Sequence, residues 1–520
     1  MGVFDAFNAA SWLVDRHIDA GHGARIAIRC EERTTTYAQL QQQVWRAQRL
    51  LGDLGLVAGD RVALVLQDDE AFPSFFLASL RAGLVAVPLS TMLRGPALGA
   101  MVADSGADTL VVSDTFATAI GDIIDAAPDV RQVVICGGAG ALEAPVGVAI
   151  HAWSDHSVCD QLPPADTGSD SQAFWLYSSG TTGLPKGVMH AHGNLPRTYE
   201  TYAREVLRVS DADRFLSVPK LFFAFGLGNS LTFPLAAGAT AILHPLPPTP
   251  AAIAALIATE QPTLFFSSPG FCAAMLDAAP DPAVFSTVRA TITAGESLPA
   301  NIQARFTALT GSPVLDGIGS TELLHIFISN RLDAQVPGSS GWTVPGYDAE
   351  LRDDAGEAVT EPDVPGYLHV RGESAAAGYW RRPDATSISF GDDGWVRTGD
   401  VYTRSSDDVW TFLGRNNDMI KAGGIWVSPA EVESALIEHE TVLEAAVVGA
   451  RDAHGLETVV AFVVPASNAT PDEAALEQHC RDRLAAFKRP RRVIVVDALP
   501  KTATGKIKRF ELRDSLGEAS

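Results

Sequence analysis

The chain has 520 residues, more than one hydrophobic core organises, so roughly two to four domains are expected. Apolar residues make up 47% and charged residues 19%, a globular composition that excludes a disordered chain. A formal charge of −23 argues against nucleic acid and anionic membranes as partners.

The five cysteines (Cys30, Cys136, Cys159, Cys272, Cys480) are scattered without a C-x-x-C pair, so neither a disulfide framework nor a zinc site is expected. No stretch approaches about eighteen uninterrupted apolar residues, and the N-terminus lacks a basic segment followed by an apolar one. The expectation is a cytoplasmic protein that does not enter a membrane.

In chain order, a helical pattern covers 36–51. Strand-like runs then alternate with helical ones: strand 61–66, helix 74–81, strand 84–89, helix 97–103 and strand 109–112. This grammar predicts a mostly parallel sheet flanked by helices. It resumes downstream with strand 240–243, helix 251–259, strand 263–266 and helix 271–276, so two related sheets are expected. From about Ser340 the strands shorten and turns multiply (Pro345-Gly346, Pro365-Gly366, Asp392-Asp393-Gly394), as in a small antiparallel barrel or sheet. After Gly414 a separate α+β unit is predicted. Its first helix starts with Ser428 as N-cap, Pro429 at the first helical position and Glu431 completing a capping box. Strands 445–448 and 458–464, helix 472–484 and strand 493–496 follow, and the polar run 415–418 reads as the linker.

Between the two βα regions lies Tyr177-Ser178-Ser179-Gly180-Thr181-Thr182-Gly183-Leu184-Pro185-Lys186-Gly187, preceded by the apolar strand Ala173-Phe174-Trp175-Leu176-Tyr177. Glycines admit oxygens to backbone N–H groups, and hydroxyls and an ammonium add donors, a composition suited to a polyphosphate. It is not a Walker loop, because Pro185 stands where the second glycine belongs. On composition alone, a plain surface turn is an equal alternative.

Four further segments decide between them: Gly319-Ser320-Thr321-Glu322, Thr398-Gly399-Asp400, Gly414-Arg415 with Asp418, and Pro500-Lys501-Thr502-Ala503-Thr504-Gly505-Lys506. With 177–187 they run in order and at family-like spacing, and the sequence resembles the AMP-forming adenylating superfamily of acyl-CoA ligases, carrier-loading adenylation domains and luciferases. The resemblance covers essentially the whole chain. It implies an α/β fold with a large N-terminal domain (1–414) of two flavodoxin-like βα subdomains plus a small β-barrel. A hinge (415–418) and a small mobile α+β C-terminal lid domain (419–520) complete it.

The resemblance also implies ATP, Mg²⁺ and coenzyme A. Attack of a carboxylate on the α-phosphate brings two anions together, so cations must neutralise the growing charge. Lys506 would bind both the carboxylate and the α-phosphate. Thr321 and Glu322 would lie beside the α-phosphate, with Glu322 also holding the metal. Ser178, Ser179, Gly180, Thr181, Thr182 and Lys186 would cover the departing phosphates, and Asp316 and Gly317 would meet the nucleotide. Asp400 would accept the ribose hydroxyls and Arg415 would contact the ribose. For the thioester step the C-terminal domain would rotate about Asn417, and Gly423 and Gly424 would line the coenzyme A tunnel. Many relatives carry Asp or Lys at the hinge. Lys508, Arg509 and Arg513 read as a basic solubilising tail.

Lys220 to Asn229, with Asp316 to Glu322 and Leu324-His325-Ile326, resembles the benzoate–CoA ligase branch. This implies an aromatic carboxylic acid surrounded by Ala224, Phe225, Ala294, Gly319, His325, Ile326 and Lys421. Small residues would form a flat slot, Phe225 and Ile326 apolar walls, and His325 and Lys421 polar groups for a carboxylate or ring substituent. A lone His325 is also the usual pattern of a satisfied buried histidine. The branch generally has Tyr where this chain has Phe225, so a hydroxyl is missing. Delivery of the acyl group to a carrier protein, and a silent nucleotide-binding scaffold, are the competing readings. A homodimer is left open.

Overall fold

The computed structural model describes residues 6–93, 95–138, 145–153, 160–178, 185–422, 425–451, 457–466, 469–501 and 507–517. The apolar runs of the N-terminal half form strands covered on both faces. Val85–Pro88 and Thr109–Ser113 are buried at every position, which is the environment a helix-flanked parallel sheet provides. They lie in a seven-stranded sheet ordered Ala149–Trp153, Gln132–Cys136, Thr109–Ser113, Arg61–Val65, Val85–Pro88, Gln172–Ser178 and Lys186–Ala191. Its last pair alone is antiparallel.

The second sheet has nine strands and contains Arg214–Ser217, Thr240–Leu243, Leu264–Ser267, Ala290–Thr293 and Val314–Gly319 in parallel array. Its far edge is an element the sequence pattern does not announce. Ile26–Cys30 pairs in parallel with Thr240–Leu243, and Arg33–Thr36 pairs back on it. Tyr37, fully buried, donates its hydroxyl to the Ala239 carbonyl at 2.8 Å across the same seam. The N-terminal segment is thus part of the second sheet.

A five-stranded antiparallel sheet follows, in the order Ala358–Val359, Tyr347–Arg352, Gly366–Gly372, Val396–Arg404 and Trp410–Arg415. After the turn Asn416–Asp418 come a hairpin (Ile420–Ala422, Ile425–Val427) and a three-stranded sheet, Val442–Arg451, Glu457–Pro465 and Arg492–Val495. Ser428 caps the helix Pro429–Ile437 as expected, its hydroxyl accepting from the Glu431 amide at 3.2 Å. The reciprocal half of the capping box does not form, because the Glu431 carboxylate takes the Lys488 ammonium at 2.7 Å instead. No described helix is long and apolar enough to cross a membrane. Cys30, Cys136, Cys272 and Cys480 are free and buried, and Cys159 lies outside the described residues.

The helix Ala71–Arg81 is buried on all sides, as a helix apolar around its circumference must be. Its last residue, Arg81, is 2% exposed. Asp15, the Ser11 hydroxyl and the Leu162 carbonyl take the two Nη groups of its guanidinium.

One carboxylate ties the first sheet's loops to the second's. Asp68, just beyond Arg61–Val65, accepts from the Leu221 amide with both oxygens at 3.3 Å and faces the Lys220 ammonium at 4.0 Å. Lys220 donates in turn to the His244 and Leu246 carbonyls. Burial pushes the Asp68 carboxyl up to about 6, against the pull of Lys220. The folded-state value lies above the ordinary 3.8. The folded state therefore holds the proton more tightly than the unfolded chain, and stability drains away as pH rises between the two values. In Asp68→Asn that loss is absent. From pH 4 to pH 7 its unfolding free energy should fall by up to roughly 3 kcal/mol less than that of the parent, at 1.36 kcal/mol per pKa unit. Denaturant titrations at several pH values measure this, and parallel curves for the two proteins would refute it.

Candidate active site

The glycine-rich loop connects two antiparallel strands rather than a strand and a helix. Ser178 ends Gln172–Ser178 and pairs with Lys186, which opens Lys186–Ala191. Ser179, Gly180, Thr181 and Thr182 lie outside the described residues. The root of the hairpin is held by Tyr177, whose hydroxyl donates to Asp104 at 2.8 Å.

The outer edge of Lys186–Ala191 carries a second segment, 376–380. The Trp380 amide donates to the Gly187 carbonyl at 2.8 Å, Met189 to Gly378 at 3.0 Å, and Ala377 to Met189 at 2.9 Å. These bonds set Tyr379 beside Lys186, whose ammonium sits 4.7 Å from the ring centroid, within cation–π range. The Tyr379 hydroxyl donates to Glu322 Oε1 at 2.8 Å. Burial and the neighbouring Glu322 charge raise the Tyr379 phenol well above its ordinary value, so it remains a donor.

Glu322 and Thr321 occupy the turn after Val314–Gly319. The Ala376 amide donates to the Glu322 carbonyl at 2.8 Å, and His190 Nε2 donates to the Thr321 carbonyl at 2.8 Å. His190 is completely buried, and desolvation pulls its ring down to about 4. The turn can fold back only because residue 319 is glycine, since a Cβ there would meet the His325 carbonyl oxygen at 2.5 Å.

Asp400 and Arg415 are cross-strand partners in the antiparallel sheet. Arg415 Nε lies 3.1 Å from Asp400 Oδ1, and its Nη1 donates to the Thr398 carbonyl at 2.9 Å. Gly399, with φ +79°, turns the strand between them. Asp400 is buried at 4% exposure, whereas the Arg415 side chain is 44% exposed. Its guanidinium is held in the charged form by Asp400 first and by Glu322 further off. The ribose and phosphate candidates therefore share one electrostatic neighbourhood.

The candidate acid slot lies in the core of the second sheet. Phe225, in the short helix Ala224–Leu227, meets Phe266 edge-on at 6.2 Å and the His325 ring at 5.4 Å. Ala294 and Ile326 are buried in the same apolar cluster, Phe225 packs against it, and Ala224 is half-buried. Glycine is required at 226 and 228 for different reasons: a Cβ at 226 would strike the Lys220 carbonyl oxygen at 2.0 Å, and one at 228 the His325 ring at 2.4 Å.

Two residues expected to touch ligand are also packed into the core. His325 is 3% exposed, boxed by Phe233 at 4.4 Å, Tyr202 at 5.3 Å and Phe225, with Nε2 3.1 Å from Asn229 Oδ1. Burial drives its ring down to about 3, so it is neutral and offers no cation to a carboxylate. Its Nε2 is partnered, while its Nδ1 is buried without a hydrogen bond, so the ring is only half satisfied. Asp316 is likewise enclosed. Its side chain accepts from the Thr293 hydroxyl at 2.8 Å, and its carbonyl accepts from the Asn330 amide at 2.9 Å and side chain at 3.0 Å. Desolvation pushes its carboxyl up to about 8. These contacts tie both the side chain and the carbonyl of Asp316 into the sheet. Gly317 serves the same strand, because a Cβ there would meet the Ile328 carbonyl at 2.8 Å.

In the C-terminal unit, Asn417 lies in the turn Asn416–Asp418. Lys506, Gly423 and Gly424 lie outside the described residues, as does the side chain of Lys421. The segment holding Lys506 is closed by an antiparallel bridge between Lys501 and Ile507. The basic residues after it are not a solvated tail. Arg509 pairs with Glu433 at 2.6 Å, Arg513 with Asp418 at 3.0 Å, and Lys508 with Glu511 at 2.7 Å. Carboxylates on the turn Asn416–Asp418 and on the first helix of this unit recruit the two arginines, and Glu511 of their own helix takes Lys508.

Sequence reasoning missed His190 and the 376–380 segment with Tyr379. The available signal was a run of small residues, Ala375-Ala376-Ala377-Gly378, ending in the aromatic pair Tyr379-Trp380.

Comparison with known proteins agrees with this geometry. The AMP-binding enzyme family matches residues 15–380, and the AMP-binding enzyme C-terminal domain matches 431–506. Benzoate–CoA ligase of Thauera aromatica is 41% identical over 98% of this chain and 96% of its own length. The crystal structure of a benzoate CoA ligase from Burkholderia xenovorans LB400 is 39% identical, with a TM-score of 0.88 over 98% of this chain and 100% of the other. That of the anthranilate CoA ligase AuaEII in complex with anthranoyl-AMP is 34% identical, with a TM-score of 0.92 over 99% of this chain and 98% of the other. The chain belongs to the AMP-binding enzyme family, in the branch that holds the benzoate–CoA ligases.

Proposed function

We propose that the protein is an ATP-dependent aryl-acid:CoA ligase that activates benzoate or a substituted benzoate. The carboxylate attacks the α-phosphate and expels pyrophosphate, and coenzyme A then displaces AMP to give the thioester. The observation that carries this reading is the convergence of the Asp400–Arg415 pair with the Glu322–Tyr379–Lys186 cluster. One carboxylate there is suited to a diol and one to a cation, with ammonium and guanidinium groups alongside.

Asp400 accepts the ribose hydroxyls, a task for which the several lone pairs of an ionised carboxylate suit it. Lys186 and the loop hydroxyls of Ser178, Ser179, Thr181 and Thr182 take the departing phosphates, and the Thr321 hydroxyl takes the α-phosphate. Glu322 spends one oxygen on the Tyr379 hydroxyl. Its other oxygen fits a hard cation that also takes phosphate oxygens, as Mg²⁺ does with one or two carboxylates. Bound there, Mg²⁺ would neutralise charge on the leaving pyrophosphate. Lys506 brings its ammonium to the carboxylate and α-phosphate oxygens, and Phe225, Ala294 and Ile326 enclose the ring. Once AMP-ester has formed, domain 419–520 turns about Asn417, and Gly423 and Gly424 admit the pantetheine arm.

A pyrophosphate-release assay over benzoates, cinnamates and fatty acids, with and without coenzyme A, tests the reading. Release from fatty acids but not from benzoates would sink the aryl assignment, and release that never yields a CoA thioester would favour a carrier protein as acceptor. Lys506→Ala separates the half-reactions. Acyl-adenylate formation should be abolished while thioester formation from supplied acyl-adenylate survives, and near-normal adenylation would remove the lysine from its role.

Specificity gives a second measurement. Phe225→Tyr restores a hydroxyl at the edge of the slot. It should raise kcat/KM for hydroxy- or aminobenzoates relative to benzoate by about three- to tenfold, the net worth of one hydrogen bond. An unchanged ratio across the panel would place residue 225 away from the ring substituents.

A further inference from the structure

Lys186 and Glu322 carry opposite charges on neighbouring segments, yet they form no ion pair with each other. Both touch Tyr379 instead. The ammonium lies over the face of the ring, 4.7 Å from its centroid, and the carboxylate accepts the ring's hydroxyl at 2.8 Å. Tyr379 itself is 6% exposed and tightly constrained. An isolated bridge joins it to Val188, its amide accepts a fixed place on the Thr386 hydroxyl at 3.0 Å, and its ring packs edge-on against Phe390 at 5.3 Å.

We infer that Tyr379 is a positioning residue that keeps the Lys186 ammonium and the Glu322 carboxylate from neutralising each other, so that both stay available to the polyphosphate and its cation. This rests on the function proposed above. A lysine has four rotatable bonds and a compact charge. With an aliphatic side chain at 379, nothing of the ring remains to hold the ammonium by its π-face, and direct pairing with Glu322 is the favoured alternative. A cation would then have to displace the lysine before reaching the carboxylate. The aromatic ring gives the ammonium an attractive site that leaves its N–H donors free. The phenol gives Glu322 one neutral donor, and a neutral donor leaves the carboxylate's charge intact.

The test is Mg²⁺-dependent binding of ATP in the absence of acid and coenzyme A, followed by calorimetry on the full chain. Tyr379→Leu should raise the Mg²⁺ concentration for half-maximal ATP binding by about tenfold, the size of a coupling between charges in contact. Tyr379→Phe keeps the ring that holds the ammonium, and its shift should be clearly smaller than that of Tyr379→Leu. The discriminating variant is Tyr379→Leu with Lys186→Met, because removing the lysine frees Glu322 again. Its Mg²⁺ requirement should return toward the parent's, although ATP affinity stays low. Simple destabilisation at 379 predicts the reverse, a double variant at least as impaired as Tyr379→Leu, and that result overturns the inference. Should Tyr379→Leu fail to fold by its melting temperature, Tyr379→Met, closer to the lost volume, takes its place in both arms. Parent protein that binds no ATP with Mg²⁺ would overturn the proposed function and this inference together. Parent-like binding in every variant overturns this inference alone.

Discussion

Much of the candidate phosphate site depends on one strand pairing with two partners at once. On one side Lys186–Ala191 is hydrogen-bonded to Gln172–Ser178, and on the other to residues 376–380. The first pairing fixes both ends of the glycine-rich loop. The second fixes Tyr379, and through the Ala376 amide it also fixes the turn that carries Thr321 and Glu322. His190, on the same strand, closes the circuit on the Thr321 carbonyl. Backbone bonds of this kind are short and directional, so they hold side chains of three distant segments in register without help from those side chains.

That arrangement suits a protein of strongly negative overall charge that must receive an anionic ligand. The long-range field is unfavourable, and attraction has to come from nearby cations acting where solvent is thin. Lys186 and Arg415 are such cations, each held next to a partner that does not consume it. Arg415 keeps part of its guanidinium in solvent while Asp400 steadies the rest. The acid slot follows the opposite logic. The candidate slot is walled by rings and small residues, and His325 within it is neutral, so on the proposed reading its walls would supply shape and dryness while charge is left to the candidate phosphate end.

Most of the architecture was legible because its signals are local. Alternating apolar runs located most of the expected strands to within a residue or two, as with 240–243 and Thr240–Leu243, although 445–448 fell three residues short at each end of Val442–Arg451. Ser428 was recognised as a cap by its own chemistry. What escaped depends on partners far off in the chain. The short strand Ile26–Cys30 has meaning only beside Thr240–Leu243. Glu431 satisfies the pattern of a capping box, but Lys488 offers full charge where the backbone offers one amide. Asp316 and His325 sit beside residues with plausible ligand roles, and sequence spacing says nothing about which way a side chain faces. Thr293 and Asn330 bond to Asp316, and Asn229 meets one ring nitrogen of His325. The C-terminal arginines misled for the same reason, since Glu433 and Asp418 are distant in sequence.

The pairing of Ile26–Cys30 with Thr240–Leu243 bears on the order in which the molecule is made. A chain emerging from the ribosome exposes that N-terminal strand long before its partner exists. At roughly 5–20 residues per second the wait spans about 10 to 40 seconds. The seven-stranded sheet can assemble during that interval, since most of its strands come earlier than its final hairpin, whereas the nine-stranded sheet cannot close on its own edge. Until then an apolar β-edge and the ring of Tyr37 stand uncovered. The start of this chain is therefore the part that would engage a nascent-chain chaperone longest, and the part most exposed to pairing with a neighbouring copy on the same message.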